Sequence, residues 1–202
     1  MQSPEDALAV AGDSARWLAA LHRSEVQAPP GSDDITAIRG WSSELAEALP
    51  EHAEKIRHIA HAIFEINEHP GKDAVPSHGD FHPMNVFISD SAITAIDIDK
   101  FSQREPEADV GYFLMQTAAF DFFENGSFDF TEPARRRFLQ AYENETGWTV
   151  RQDRTAFHMA ASFLKNLHFE VVLLKTGNTE YVEPWLWGAT ATVLDRNLFL
   201  TT

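Results

Sequence analysis

The sequence contains no cysteine, which excludes disulfides and thiolate metal sites and agrees with a reducing compartment. It has no apolar run of about 18 residues, and its start, MQSPEDALAV, lacks a basic region followed by an apolar one. Neither a membrane span nor a signal peptide is expected, so the chain reads as soluble and cytoplasmic, with no membrane partner. Positive charge is scarce: 16 Lys and Arg against 31 Asp and Glu leave a formal net charge of -15. Phosphate-backbone binding needs clustered cations to displace counterions, so no nucleic-acid partner is expected. The dense basic run Arg135 to Arg137 reads as a solvated helix face. The acid excess would suit a cationic small-molecule partner, although charge alone mostly reports solubility. Internal repeats and low-complexity tracts are missing too.

What is present suits one domain over residues 1–202, or one lobe of something larger: 44% hydrophobic content in a chain of this length buries about 70% of its unfolded surface. Ser3 as N-cap, Pro4 at the first helical position and Asp6 three residues after the cap predict a helix over Pro4–His22. QAPPGSDD breaks it, and helices near Ile35–Ala48 and Glu51–Asn67 follow, separated by Pro50. After EHPGKDAVPSHGD, the β-branched runs NVFI and AITAIDI, joined by Ser89, Asp90 and Ser91, predict a small β-hairpin. Helices are then expected over Ala108–Phe122, over Thr131–Thr146 with Gly147 as its stop, and over Trp185–Leu198. A helix over Thr155–Leu174 is apolar nearly all round, with His158 and His168 as hydrogen-bonded core residues. The fold class expected is α+β, mostly helical, with one hairpin.

Chemistry concentrates in the stretch HGDFHPMNVFISDSAITAIDID, residues 78–99. Asp80 sits in a loop five residues before Asn85, and Asp97 follows twelve residues later on the second predicted strand. Phosphoryl transfer needs a carboxylate to hold the acceptor hydroxyl in line, plus oxygen ligands for magnesium. Asp80 fits the first task, and Asn85 with Asp97 the second. Asp80 and Asn85 taken singly could be turn residues bonding their own backbone. An isolated Asp97 buried in a β-rich run would be expensive, which favours a joint role. Asp99 alternates with Asp97 and is expected on the other face, in a surface role.

HGDFHPMNVFI together with AIDIDKFSQREPEADVGYF resembles the aminoglycoside phosphotransferase and choline kinase-like family, whose large C-terminal lobe shares the protein-kinase fold. WLAALH resembles the L-x-x-L-H helix of that family, so motifs occur in the right order from about Arg16 to Gly147. The resemblance implies that Asp80 is catalytic, that Asn85 and Asp97 ligate Mg2+, and that Phe87 and Ile96 form part of the nucleotide pocket. His78 would brace the loop and Asp109 would stabilise the segment after the metal site. It implies a small-molecule kinase using ATP or another nucleoside triphosphate. The acceptor would be a hydroxyl of an aminoglycoside-like molecule, an amino alcohol or a sugar. Arg104 and Met84 stand where the family usually has glycine, and neither is one of the proposed ligands.

For Phe87 and Ile96 a plain core role competes. A metal-dependent hydrolase using His78, Asp80, His82 and Asp97 is a second reading, weakened because it leaves Pro83 and the Asp-to-Asn spacing unexplained. A third is a non-catalytic kinase-like binding module, favoured by what is missing: there is no G-x-G-x-x-G and no lysine in a V-A-I-K-like context among the five lysines. The N-terminal nucleotide-binding lobe is therefore expected to be absent. The lobe alone should be inactive, and its apolar lobe interface should be covered by that missing lobe or by self-association.

Overall fold

The computed structural model describes residues 4–32, 34–67, 74–89 and 92–195. They fall into two compact units. The first takes in residues 4–31, 74–89 and 92–151, and the second residues 32, 34–67 and 152–195.

In the first unit α1 spans Pro4–His22, as its proline and apolar spacing predict; Ser3 lies outside the described residues. Ala11, Ala15, Leu18 and Ala19 lie on one buried stripe, the i, i+4, i+7, i+8 pattern of an amphipathic helix, and α1 packs against α5, Glu132–Thr146. The helix α5 ends at Gly147, whose φ of 71° is a left-handed cap that an L side chain would strain. Between them, α4 spans Glu107–Asn125. An aromatic column runs through this core: Trp17 stacks on Phe81, Phe81 on Phe113, and Phe113 on Phe138 at 4.0 Å between ring centres.

Four three-residue strands complete the unit. The expected hairpin forms from β2, Val86–Ile88, and β3, Ile93–Ala95, paired antiparallel with Phe87 opposite Thr94. A second antiparallel pair was not expected: β1, Val75–Ser77, lies against β4, Ser102–Arg104. The basic run is also corrected. Arg135 is 2% exposed, donating to the Thr131 hydroxyl at 2.6 Å and the Phe128 carbonyl at 2.8 Å. Burial lowers its pKa to about 10, against Asp121, Glu132 and Asp129. Only its neighbours Arg136 and Arg137 reach solvent within that run.

The second unit is helical. Its elements are α2, Asp34–Ala48; a 3-10 turn at Pro50–His52; α3, Ala53–Asn67; α6, Gln152–His168; and α7, Val182–Thr190. Ile38, Leu45, Ile56, Ile59, Ile63 and Leu164 are fully or almost fully buried among them. The long helix expected to Leu174 stops at His168 and continues as a π turn over Phe169–Leu174, where Phe169, Leu173 and Leu174 stand exposed. It is therefore not apolar and buried all round. His158 and His168 are buried, and the His168 Nε2 lies 2.7 Å from Glu44, the hydrogen-bonded core role expected. The last predicted helix ends as a π turn at Asp195, and residues 196–198 lie outside the described residues.

Candidate functional site

The loop between β1 and β2 is pinned from below and from behind. Phe81 is fully buried in the aromatic column, and its neighbours Asp80 and His82 are half-buried. Behind the loop, the buried Asp109 at the start of α4 accepts hydrogen bonds from the backbone N–H groups of His78 at 2.7 Å and Gly79 at 2.8 Å. His22 Nε2 lies 3.2 Å from the same carboxylate, and its Nδ1 is 2.7 Å from the Tyr142 hydroxyl. Burial alone would raise the Asp109 pKa. The His22 imidazole and the two backbone amides together outweigh it, and the carboxyl is held below its ordinary range.

That depression gives a stability prediction. A carboxyl whose folded pKa is depressed stabilises the fold above its unfolded pKa, and the contribution is lost as pH falls through the folded value. The acid limb of unfolding should therefore steepen below the ordinary carboxylate range. Asp109→Ala leaves buried N–H donors unsatisfied and should cost about 3 kcal/mol. Urea unfolding checks this, with a flattened acid limb expected in the variant.

His78 is fully buried, edge-on to Trp17 and Phe81, and its Nδ1 accepts from the Asp80 backbone N–H at 3.4 Å. Asn85 closes a 3-10 turn over Pro83–Asn85 and donates from Nδ2 to the Asp80 carbonyl at 3.1 Å. That bond fixes the amide so that Oδ1 remains the acceptor free for a cation. The Asn85 carbonyl accepts from the Ile96 N–H at 3.0 Å, which ties the loop to the end of the hairpin. Asp97 does not lie on β3, which ends at Ala95. It follows the strand with φ of 64°, a conformation uncommon for non-glycine residues and found where the surroundings impose it. Asp97 is exposed, and Asp99, expected on the opposite strand face, lies in the turn beyond.

The charges of Asp80 and Asp97 are both felt at His82 and at Tyr112. Burial lowers the His82 pKa against Asp80 and Asp97, with His78 and Lys100 adding to the lowering. Burial and Asp80 push the Tyr112 hydroxyl up; that hydroxyl accepts from Gln116 at 2.8 Å. Asn85 Oδ1 and the Asp97 carboxylate are hard oxygen donors of the type Mg2+ takes, and magnesium leaves its other positions to phosphate and water. Among the described residues no group of three or more His, Cys, Asp or Glu is placed to hold a metal. With His78 sealed in the core, the hydrolase reading finds no support.

Phe87 and Ile96 are 58% and 45% exposed, so neither is a core residue in this chain. Sequence reasoning missed two groups. Lys100 donates to Asp80 Oδ2 at 2.7 Å, and Tyr112 interacts with Asp80 from α4. Tyr112 carries no sequence signal beyond its place three residues after Asp109. Lys100 closes the acidic run IDIDK, a lone cation whose spacing alone does not reveal its partner.

The model of the phosphotransferase enzyme family, APH, matches residues 1–154. A search among curated proteins finds no match to the sequence. Among solved structures, a choline/ethanolamine kinase family protein from Mesorhizobium loti superposes with a TM-score of 0.72 at 15% identity, covering 97% of this chain and 68% of its own. Choline kinase from Streptococcus pneumoniae gives 0.70 at 18%, covering 93% and 64%. Glucosamine kinase in complex with glucosamine, ADP and inorganic phosphate gives 0.62 at 16%, covering 94% and 54%. The chain thus spans between about half and two thirds of these kinases. It has the mostly helical fold of a kinase-like C-terminal lobe. Among the described residues no helix is long and apolar enough to cross a membrane.

Proposed function

The chain belongs to the phosphotransferase enzyme family, and from that premise we propose that it is the catalytic lobe of a small-molecule kinase. It would move the terminal phosphoryl group of ATP, or of another nucleoside triphosphate, to a hydroxyl of an amino sugar or amino alcohol. The observation that supports this reading is the bonding around Asn85, whose side chain donates to the Asp80 carbonyl and whose own carbonyl accepts from the N–H of Ile96, the residue before Asp97. Choline and glucosamine, named for kinases of this fold, and the net charge of -15 support a cationic acceptor. A cavity of about 440 Å³ beside the loop, lined by His82, Pro83, Gln116 and Phe120 among others, leaves room for a small molecule.

In this reading Asp80 accepts a hydrogen bond from the acceptor hydroxyl and aims its oxygen at the terminal phosphorus. The new O–P bond forms as the bond to the bridging oxygen breaks, and that electron pair leaves with the nucleoside diphosphate. The hydroxyl proton passes to Asp80 and then to solvent. Asn85 and Asp97 would hold Mg2+, which supplies neutralisation of the phosphate charge when bound. Phe87 and Ile96 would face the base of the nucleotide. His78 and Asp109 fix the loop through its backbone, so they shape the site without touching substrate.

The test assays ATP turnover with amino-sugar and amino-alcohol acceptors, for the 202 residues alone and for a chain extended upstream by a lobe carrying a glycine-rich loop and its lysine. The extended chain should turn over at least one acceptor, and the isolated chain should be at least about a hundredfold slower because half the phosphate clamp is missing. No turnover of any acceptor by the extended chain would overturn the reading. Robust turnover by the isolated chain would overturn the requirement for a second lobe.

A further inference from the structure

Lys100 is held against the catalytic loop by the backbone as well as by its charge. Gly79 has φ of 83°, and a Cβ built on it would stand 2.7 Å from Lys100 Cβ, closer than two such atoms can approach. The missing side chain at Gly79 is therefore what lets the turn after Asp97 lie on the loop. From that seat the Lys100 ammonium reaches Asp80 Oδ2 at 2.7 Å; the lysine side chain is 53% exposed and the aspartate side chain 13%. An ion pair this exposed on one side contributes little to stability, so its position calls for another account.

We propose that Lys100 is a phosphate-directed cation of this site, parked on Asp80 until the nucleotide binds, and then donating to its terminal phosphate, which leaves Asp80 to the acceptor hydroxyl. The inference rests on the phosphotransferase reading above. The geometry follows from distances. A hydroxyl bonded to Asp80 at about 2.7 Å and within about 3.5 Å of the phosphorus brings the terminal phosphate oxygens to at most about 10 Å from the ammonium, a gap that a swinging lysine stem can close. The local charge favours the move. The charges of Asp80 and Asp97 are both felt at His82, and a cation there offsets the repulsion between these carboxylates and an incoming polyphosphate. A lysine suits the task because its ammonium is a point charge on a flexible stem that can exchange one oxygen partner for another.

Calorimetric titration of the 202-residue chain with Mg·ATP and with Mg·ADP tests this without relying on turnover. Lys100→Met should weaken Mg·ATP binding about tenfold while changing Mg·ADP less than about twofold, as expected for loss of one charge-assisted bond to the terminal phosphate. Lys100→Arg should keep most of the preference. Asp97→Asn, the control for the reading beneath, should weaken both nucleotides together. If Asp97→Asn weakens both but Lys100→Met affects ATP and ADP equally, or affects neither, the role given to Lys100 is overturned. If Asp97→Asn leaves both unchanged, or if neither nucleotide binds at millimolar concentration even when the chain is extended by a nucleotide-binding lobe, the phosphotransferase reading fails and takes this inference with it.

Discussion

Asp80→Asn, in a chain extended by the nucleotide-binding lobe, should lower kcat by about 10²- to 10⁴-fold, the span typical for loss of a positioned proton acceptor. Nucleotide affinity should stay within about twofold. The split follows from the proposed roles: Asp80 would meet the acceptor, whereas Asn85 and Asp97 would meet the phosphates through the metal. Asparagine preserves size, and the backbone restraints on the loop come from Asp109 and Phe81, so the loop should keep its shape. The amide still accepts a weak bond from the hydroxyl but takes no proton. Steady-state kinetics with a separate nucleotide titration check the split, and equal losses in both would contradict the role of Asp80.

Much of this was legible in the sequence because the signals were local. Proline at the start of α1, Gly147 at the end of α5 and two β-branched runs mark elements without any tertiary information, and the helices and the β2–β3 hairpin follow them. The β1–β4 pair was hidden because VPS and SQR carry no hydrophobic alternation, and their pairing joins segments far apart in the chain. Asp97 was misplaced for a related reason. The run AITAIDI keeps a period of two, but the backbone leaves the extended region at Asp97, and the sequence shows an aspartate there instead of the glycine that would announce a positive φ.

Side-chain environments were the least legible. Arg135 sits in a basic run that reads as solvated, yet hydroxyl and carbonyl acceptors at the entry to α5 hold it in the core. The candidate site itself divides in the same way. Asp80, Asn85 and Asp97 were singled out from spacing and resemblance, whereas Asp109, expected to stabilise the segment after the metal site, holds the backbone of the loop before Asp80. Lys100 and Tyr112 reach Asp80 from a turn and a helix, and that convergence exists only after folding.

In the proposed site Asn85 and Asp97 together would hold the divalent cation of the nucleotide. Electron paramagnetic resonance of Mn2+, used in place of Mg2+, reads this directly in the presence of ADP. Asp97→Asn removes the charged oxygen ligand and should weaken Mn2+ binding at least about tenfold. Asn85→Ala should have a similar effect, and Asp99→Asn, in the turn beyond the site, should change it less than about twofold. A single class of bound Mn2+ that needs both Asn85 and Asp97 is the predicted result. Binding that survives Asp97→Asn unchanged, or that depends on Asp99 instead, would contradict the site as described.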